Sequence, residues 1–336
     1  MAVGCYVIGE RIIHLSLEIS ETICYASQGC ITHFIDACKR LPEKLECLVI
    51  VEPEFVQPKI LKELFKVGQE YANVVYIIPA IGALLQYTVS IIKHFFMNNI
   101  LILLKSYENY YACSLMKENN LIYPFCIKTE TIESLQHEFY SGFPLKDVHC
   151  IHRSHMKEKA RNKFKCRFPT ANFHRIHPPM IILALGGFYK AMCIAEPGKH
   201  LEVANFTPGI FHGNVTIVKR CATFPLKINF MPLVDYPTIF RDTLAVSTRR
   251  KTWVIREVEI LLPRQHWVKN FVIEYNEFGL LTVEDPSTQL SFSIFNDFLF
   301  NSNKVHVWSI TKQSRAIFDI AKNERQLVPF DDKGKQ

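Results

Sequence analysis

The sequence predicts an α/β protein with a doubly wound, mainly parallel, Rossmann-like sheet in its N-terminal half, followed by a β-rich C-terminal domain. Apolar, β-branched runs alternate with segments of helical periodicity through residues 1–146. After about residue 180 the helical periodicity largely disappears, and Pro, Gly and Asp separate many of the short runs. Hydrophobic residues make up 49% of the 336 residues, so a packed core is expected.

Strands and helices alternate along the N-terminal half. Helices of ten or more residues between strands imply right-handed crossovers and parallel pairing. The predicted strands are Arg11–Leu17, Leu45–Val51, Asn73–Ile78, Ile100–Leu104 and Leu121–Ile127. The predicted helices are 21–40, 58–71, 84–96 and 107–118.

The composition divides the chain into three parts: a Rossmann-like domain at 1–146, a basic, His-rich linker or insertion at 147–179, and a β-rich domain at 180–336. In the last part, Met180–Leu185 is read as a strand that turns into a helix at Gly186-Gly187, and Leu280–Val283 is expected to form a hairpin with Leu290–Ile294. A helix over Ser314–Arg325 closes the chain. Further strands are predicted at 214–218, 226–230, 252–260 and 268–275, and no internal repeat is visible.

The uncharged run Val74–Ile92 has nearly the length of a membrane span. Pro79 and Gly82 divide it where a strand would pass into a helix, so no span is expected. The eleven cysteines include no CxxC pair, and no signal peptide is visible. These features predict a reducing, intracellular location, cytoplasmic or nuclear.

Glu52 follows the apolar strand Leu45–Val51, where a carboxylate of a nucleotide-binding Rossmann fold accepts hydrogen bonds from a ribose. Residues 11–130 resemble a divergent class I S-adenosylmethionine-dependent methyltransferase, on the segments RIIHLSL, CLVIVEPEF, NVVYIIPA and ILILLK. The resemblance implies S-adenosylmethionine as a possible cofactor, with Glu52 in its site. Glu18–Glu21 stands in place of the family's glycine-rich turn, so an inactive scaffold is the alternative. The simpler interpretation is that Glu52 is a solvated carboxylate at the start of a helix, where the helix dipole stabilises its negative charge.

Five of the thirteen histidines fall between His149 and His177. Their spacing lacks the C-x2–4-C pairs of closed zinc sites, so no metal is expected. P-loop, GxSxG and HExxH motifs are absent from the sequence, and no catalytic residue is predicted.

A basic segment overlaps the histidines, with Glu158 as its one acidic residue. Three phenylalanines, Phe164, Phe168 and Phe173, are interleaved with the basic residues. Basic side chains contact phosphates and aromatic rings stack on unpaired bases, so the segment predicts nucleic-acid binding. The alternatives are a solvated loop whose phenylalanines anchor it, or an acidic protein partner. The predicted contacts are Arg153, Lys157, Lys159, Arg161, Lys163, Lys165, Arg167 and Arg175, with a second cluster at Arg249, Arg250 and Lys251.

Together these features predict a protein that binds nucleic acid, with RNA as the expected ligand. Its methyltransferase-like domain is either a catalyst or an inactive scaffold. A non-enzymatic structural or assembly subunit of a complex is the alternative, suggested by apolar runs such as Phe292–Phe300. A membrane-associated protein ranks third.

Overall fold

A computed structural model describes much of the chain, and the statements below concern that part. The described residues are 2–8, 11–16, 25–26, 30–39, 41, 43–52, 56, 58–92, 94–105, 110–131, 134, 147–152, 158–176, 179–231, 238–247, 252–261, 271–284, 296–297, 304–309, 314–319 and 324–329.

The first sheet has the strand order β3-β2-β1-β4-β5, and its strands β1, β4 and β5 are parallel. It confirms an α/β fold with three parallel strands in the N-terminal part. Its strands are β1 (Ala2–Val7), β2 (Arg11–Ser16), β3 (Tyr25–Ala26), β4 (Leu45–Glu52) and β5 (Ala72–Pro79). Its helices are α1 (Cys30–Cys38), α2 (Pro58–Tyr71) and α3 (Ala80–Ile92).

Two details of this sheet differ from the sequence prediction. The buried strand β1 occupies the centre, and the predicted first strand, β2, pairs with it antiparallel. The helix predicted over 21–40 begins only at Cys30, because Tyr25–Ala26 pairs with β2 instead. The uncharged run Val74–Ile92 is divided between β5 and α3. Within the described residues, no helix has the length and apolar character needed to cross a membrane.

The second sheet has the order β10-β9-β6-β7-β8-β11. Its strands are β6 (Asn99–Lys105), β7 (Tyr110–Glu118), β8 (Leu121–Glu130), β9 (Asp147–His152), β10 (Asn172–Arg175) and β11 (Glu202–Val203). The predicted helix over 107–118 is wrong, because this segment is β7. Asn119, at φ 56°, lies in the tight turn that joins β7 to β8, and the long antiparallel ladder outweighs the local helical pattern.

The two sheets repeat one topology. In each, the second and third strands pair antiparallel beside the first, and the fourth and fifth extend parallel on its other side. The central parallel strands are therefore β1, β4 and β5 in one sheet and β6, β9 and β10 in the other. A crossover helix, α4 (Glu158–Arg167), joins β9 to β10 as α2 joins β4 to β5. The predicted boundary between residues 146 and 147 therefore falls inside this second sheet.

Helix α5 (Pro179–Ala195) packs against α3 and against the first sheet. The predicted strand Met180–Leu185 with a glycine turn is wrong, because Gly186 and Gly187 lie in the middle of this helix. A Cβ on Gly186 would lie 1.9 Å from the carbonyl oxygen of Ala83 in α3, so only glycine allows this close approach. The long apolar run is thus the core of a helix pair that fills the space beside the sheets.

The remaining strands form three antiparallel sheets, ordered β13-β12-β15-β16, β14-β17-β18 and β19-β20-β21-β22. The predicted helix over Ser314–Arg325 is wrong, because β21 and β22 pair there as a hairpin. The predicted partner strand Leu290–Ile294 lies outside the described residues. The strands are β12 (Ile210–His212), β13 (Val215–Val218), β14 (Leu226–Phe230), β15 (Thr238–Ser247), β16 (Thr252–Leu261), β17 (Phe271–Tyr275), β18 (Leu281–Glu284), β19 (Asn296–Asp297), β20 (Lys304–Ser309), β21 (Ser314–Asp319) and β22 (Glu324–Pro329).

Candidate functional site

Glu52, the predicted cofactor contact, ends β4 and is only 4% exposed. Its two oxygens accept hydrogen bonds from Nη1 and Nη2 of Arg241 in β15, at 3.1 and 2.8 Å. Oε1 also accepts from the backbone N–H of Val56 at 2.8 Å. A ribose could bind this carboxylate only by displacing the guanidinium. The geometry is that of a bidentate structural ion pair.

The same guanidinium reaches a third group, because Arg241 Nε donates to the hydroxyl of Tyr275 in β17 at 3.0 Å. Burial raises the pKa of Tyr275, and the guanidinium partly offsets this. Burial alone would lower the pKa of Arg241, but Glu52 and Tyr275 outweigh it and the pKa rises. The Arg241 guanidinium therefore stays charged, and its hydrogen bonds connect the first sheet to strands β15 and β17.

The basic segment begins after His152 and ends at Arg175, and both of these residues lie at the carboxyl edge of the second sheet. Parallel strands β9 and β10 end level with one another at His152 and Arg175. Strand β6 pairs with β9 up to Leu104–Ile151, so Lys105 stands at the same level on the other side of β9. In α/β sheets this edge is where ligands bind. Basic residues therefore end two of the three adjacent strands, with a histidine between them.

Helix α4 continues the basic surface. Arg161 and Lys165 are exposed, Arg167 is half-buried, and Arg175 at the end of β10 is exposed. Lys159 and Lys163 lie in α4, but their side chains are outside the described part of the chain. Other predicted contacts fall wholly outside the described residues: Arg153, Lys157, Arg249, Arg250 and Lys251.

The phenylalanines of the segment serve to anchor it. Phe164 and Phe168 are 1% and 4% exposed, in a cluster with Leu101 and Leu103 of the second sheet. The half-buried ring of Phe173 carries the guanidinium of Arg161 at 4.9 Å from its centroid. The expectation that Phe164 and Phe168 stack on bases is therefore wrong, since both rings face the sheet. The face that remains outside is charged.

Three polar groups lie together on β9 and β10. His149 Nδ1 lies 3.0 Å from His174 Nε2, and His149 Nε2 lies 3.1 Å from Asp147 Oδ1. Asp147 also accepts the backbone N–H of Phe96 at 2.8 Å. Burial lowers the pKa of His149, and burial together with His149 lowers that of His174 to about 4. Both imidazoles are therefore neutral at neutral pH.

The histidine-rich stretch does not assemble a metal site within the part of the chain that is described. There, no group of three or more His, Cys, Asp or Glu side chains is placed to hold an ion. His155 and His177 fall outside the described residues.

Sequence reasoning missed a second ion pair, in which a buried lysine contacts a half-buried carboxylate. Lys190 of α5 is 2% exposed, and its Nζ lies 2.5 Å from Glu202 Oε1 and 2.6 Å from the carbonyl oxygen of Val203. Gln86 of α3 accepts from Val203 N–H at 2.8 Å and donates to the Leu201 carbonyl at 2.9 Å. Burial lowers the pKa of Lys190, and Glu202 opposes this. A lone lysine within the apolar run of α5 was the sequence signal for it.

A pocket lies beside this lysine, at the carboxyl end of β5. Ile78, Pro79, Lys190, Asn205 and Phe206 are among the residues that line it. The side-chain oxygen of Asn205 is buried there and has no hydrogen-bond partner among the described residues. The lining is otherwise mainly apolar.

Comparison with known proteins does not identify a family for this chain. No protein-family model matches the chain, and a search of curated proteins finds no match either.

Proposed function

We propose that this protein binds a phosphate-bearing ligand, with nucleic acid as the expected one, at the carboxyl edge of the second sheet. The observation that carries the proposal is the alignment of Lys105, His152 and Arg175 on three adjacent strands. In the sequence, Arg153 and Lys157 stand between β9 and α4. Cationic side chains that are concentrated at one edge attract anionic groups such as phosphates. In α/β sheets the carboxyl edge is also where ligands bind.

The exposed face of α4 extends this surface. Arg161 and Lys165 are one turn apart on that helix, and the inward Phe164 fixes the orientation of the helix on the sheet. Because the buried phenylalanines are not free to stack, the expected contacts are to the phosphate backbone. Such contacts give strongly salt-dependent binding with little sequence preference.

The first sheet has a separate role in this proposal. We propose that it is the doubly wound, Rossmann-like domain that the methyltransferase resemblance implies, in an inactive form that serves as a scaffold. A β-rich domain follows it in the chain. Helices on both faces of the first sheet support the doubly wound description, with α1 and α2 on one face and α3 and α5 on the other. The pairing of Glu52 with Arg241 supports the scaffold form. A thermal-unfolding shift with millimolar S-adenosylmethionine would show that the cofactor binds and would contradict that form.

The test of phosphate binding is fluorescence anisotropy with a labelled single-stranded RNA. The protein is titrated into the RNA at several salt concentrations, and the affinity is measured at each. Each phosphate contact contributes about 0.7 to the slope of log affinity against log salt for single strands. The variant Arg161→Glu/Lys165→Glu should lower that slope by about 1.4. Lys62→Glu/Lys66→Glu, with the same spacing on the exposed face of α2, is the matched control and should leave it unchanged.

Two further arms separate the possible ligands. A mononucleotide that competes as well as the oligonucleotide would identify a nucleotide-phosphate site. Competition by polyglutamate alone would identify an acidic protein surface instead. Binding that does not change with salt, or no binding at low salt, would rule the proposal out.

A second candidate is an assembly subunit, which exposed apolar side chains on and beside the second sheet favour. Phe96 is 86% exposed, Phe125 53% and Met116 40%. Exposed apolar side chains that form a contiguous patch are typical of surfaces that a partner covers. The run Phe292–Phe300, which suggested this role in the sequence, lies largely outside the described residues. Light scattering on the purified chain tests the candidate, since a stable, monodisperse monomer would argue against an obligate partner.

A further inference from the structure

The guanidinium of Arg161 lies over an aromatic ring beside the carboxyl edge of the second sheet. Arg161 is exposed on α4, and its Cζ atom lies 4.9 Å from the ring centroid of Phe173 in β10. The half-buried ring of Phe173 meets the ring of Phe164 edge to face, with their centroids 5.4 Å apart. Phe164 is buried in the cluster that anchors α4 to the sheet. The core therefore holds in place the ring on which the guanidinium rests.

The same ring lies next to the cations of the proposed phosphate site. Alternate residues of a strand face the same side of a sheet, so Arg175 projects toward the same side as Phe173, which is the side that α4 covers. His152 pairs with Arg175, and the centroid of its half-buried imidazole lies 6.5 Å from that of the Phe173 ring. Two flat groups, the guanidinium of Arg161 and the imidazole of His152, therefore flank the Phe173 ring at this edge.

A guanidinium that rests on a ring can bind more than a phosphate. The group is planar, delocalised and weakly hydrated, and it stacks on aromatic surfaces. Phe173 lies on one side of the Arg161 guanidinium, and the exposure of this side chain leaves the other side toward solvent. In proteins that bind single-stranded RNA, unpaired bases stack on aromatic rings and on the planes of arginine guanidinium groups. The ammonium group of a lysine offers no such plane.

We propose that Arg161 stacks an unpaired nucleobase on the side of its guanidinium opposite Phe173, and that this contact adds affinity for single-stranded nucleic acid which a duplex does not receive. The inference rests on the proposed phosphate-binding function and adds a base contact to it. The guanidinium keeps its charge when a base stacks on it, so Arg161 still attracts phosphates. Lys165, one turn further along α4, and Arg175, at the end of β10, then contact the phosphates of neighbouring nucleotides.

Stacking on Arg161 requires a base whose face is open. In a duplex each base is already paired and stacked, so its face is not accessible to the guanidinium. Every base has a π face, so the contact adds affinity with little preference among sequences. The affinity of the phosphate contacts falls steeply with salt, because it comes from released counterions, whereas that of the stacked base depends on contact area. The two contributions are therefore separable by experiment.

The experiment measures fluorescence anisotropy of the full chain with three labelled DNA ligands. These are single-stranded oligothymidine, an abasic strand with the same number of phosphates, and a duplex of the same length. At one low salt concentration, oligothymidine should bind at least about fivefold more tightly than the abasic strand, the gain expected from one stacked base. Arg161→Lys retains the charge and loses the plane, so it should reduce this ratio to about one. Its affinities for the abasic strand and for the duplex should equal those of the unaltered chain.

Arg175→Lys is the matched control, because it makes the same replacement at the exposed end of β10 and should leave the ratio unchanged. Phe173→Leu removes the ring under Arg161 while it retains apolar bulk, and it should lower the ratio. Because Arg161 is exposed, Arg161→Lys is expected to fold normally, and its result is decisive even where Phe173→Leu does not fold.

Three results would overturn the base contact and leave phosphate binding in place. They are equal affinities for oligothymidine and the abasic strand, a ratio that persists in Arg161→Lys, and a ratio that Arg175→Lys lowers as much as Arg161→Lys does. Failure of all three ligands to bind at low salt would instead remove the proposed function, and the base contact with it.

Discussion

Glutamine at position 52 tests whether the Glu52–Arg241 pair is a structural element. The variant Glu52→Gln keeps the shape of the side chain but leaves the Arg241 guanidinium, 3% exposed, without its countercharge. Removing one partner of a buried ion pair costs about 3–5 kcal/mol. For a chain of this length the unfolding entropy is roughly 0.7 kcal/mol per degree, so the expected fall in the thermal midpoint is about 4–7 °C.

The assay is thermal and urea unfolding of Glu52→Gln, of the single variants Glu52→Leu and Arg241→Met, and of the double variant Glu52→Leu/Arg241→Met. Because the double variant removes both charges, it should recover most of the loss seen in either single variant. Glu46→Gln is the matched control on the same strand; its carboxylate is exposed, and a change within about 0.5 kcal/mol is expected. A Glu52→Gln variant as stable as the unaltered chain would refute the reasoning. So would a double variant less stable than both single variants.

Three further changes test the packing and the histidine pair. Because the pKa of His174 is lowered to about 4, the unfolded chain binds the proton more readily than the folded chain between pH 6.5 and 4. The free energy of unfolding should therefore decrease as the pH is lowered from 6.5 to 4, and it should decrease less in His174→Gln. Urea unfolding at each pH measures both. Gly186→Ala should destabilise by about 1–3 kcal/mol or more because its Cβ meets the Ala83 backbone, whereas Gly82→Ala, whose nearest neighbour would be at 3.6 Å, should be neutral or slightly stabilising. Phe164→Ala should cost about 3–5 kcal/mol in urea unfolding, and an effect below 1 kcal/mol would contradict its role as an anchor.

The elements predicted correctly are those whose pattern is local. Strand β4, helix α2 and strand β5 have nearly the predicted bounds. In each, the apolar residues recur with a single period, and the element ends at a proline or where that period changes. Strand β7 and the first part of helix α5, Met180–Leu185, were assigned to the wrong type. In β7 the hairpin with β8 decides the conformation, and α5 is an apolar run too uniform for its period to be read.

The candidate site divides in the same way. The basic segment was visible because its charges are contiguous in the chain, and the anchoring of Phe164 was one of the two readings left open. That Lys105 and Arg175 end their strands on either side of His152 follows from strand pairing, which joins residues far apart in sequence. The partner of Glu52 was equally hidden, since Arg241 lies 189 positions away.

The sequence by itself determined the α/β class, the bounds of several central elements and the presence of a basic surface, because periodicity and charge are properties of neighbouring residues. Only the tertiary structure decided that two sheets share one topology, that Gly186 permits two helices to touch, and that the buried side chains of Glu52 and Lys190 are held in ion pairs. Those features depend on which distant segments meet. The free energy of a buried charge is set by the partner that the fold brings to it.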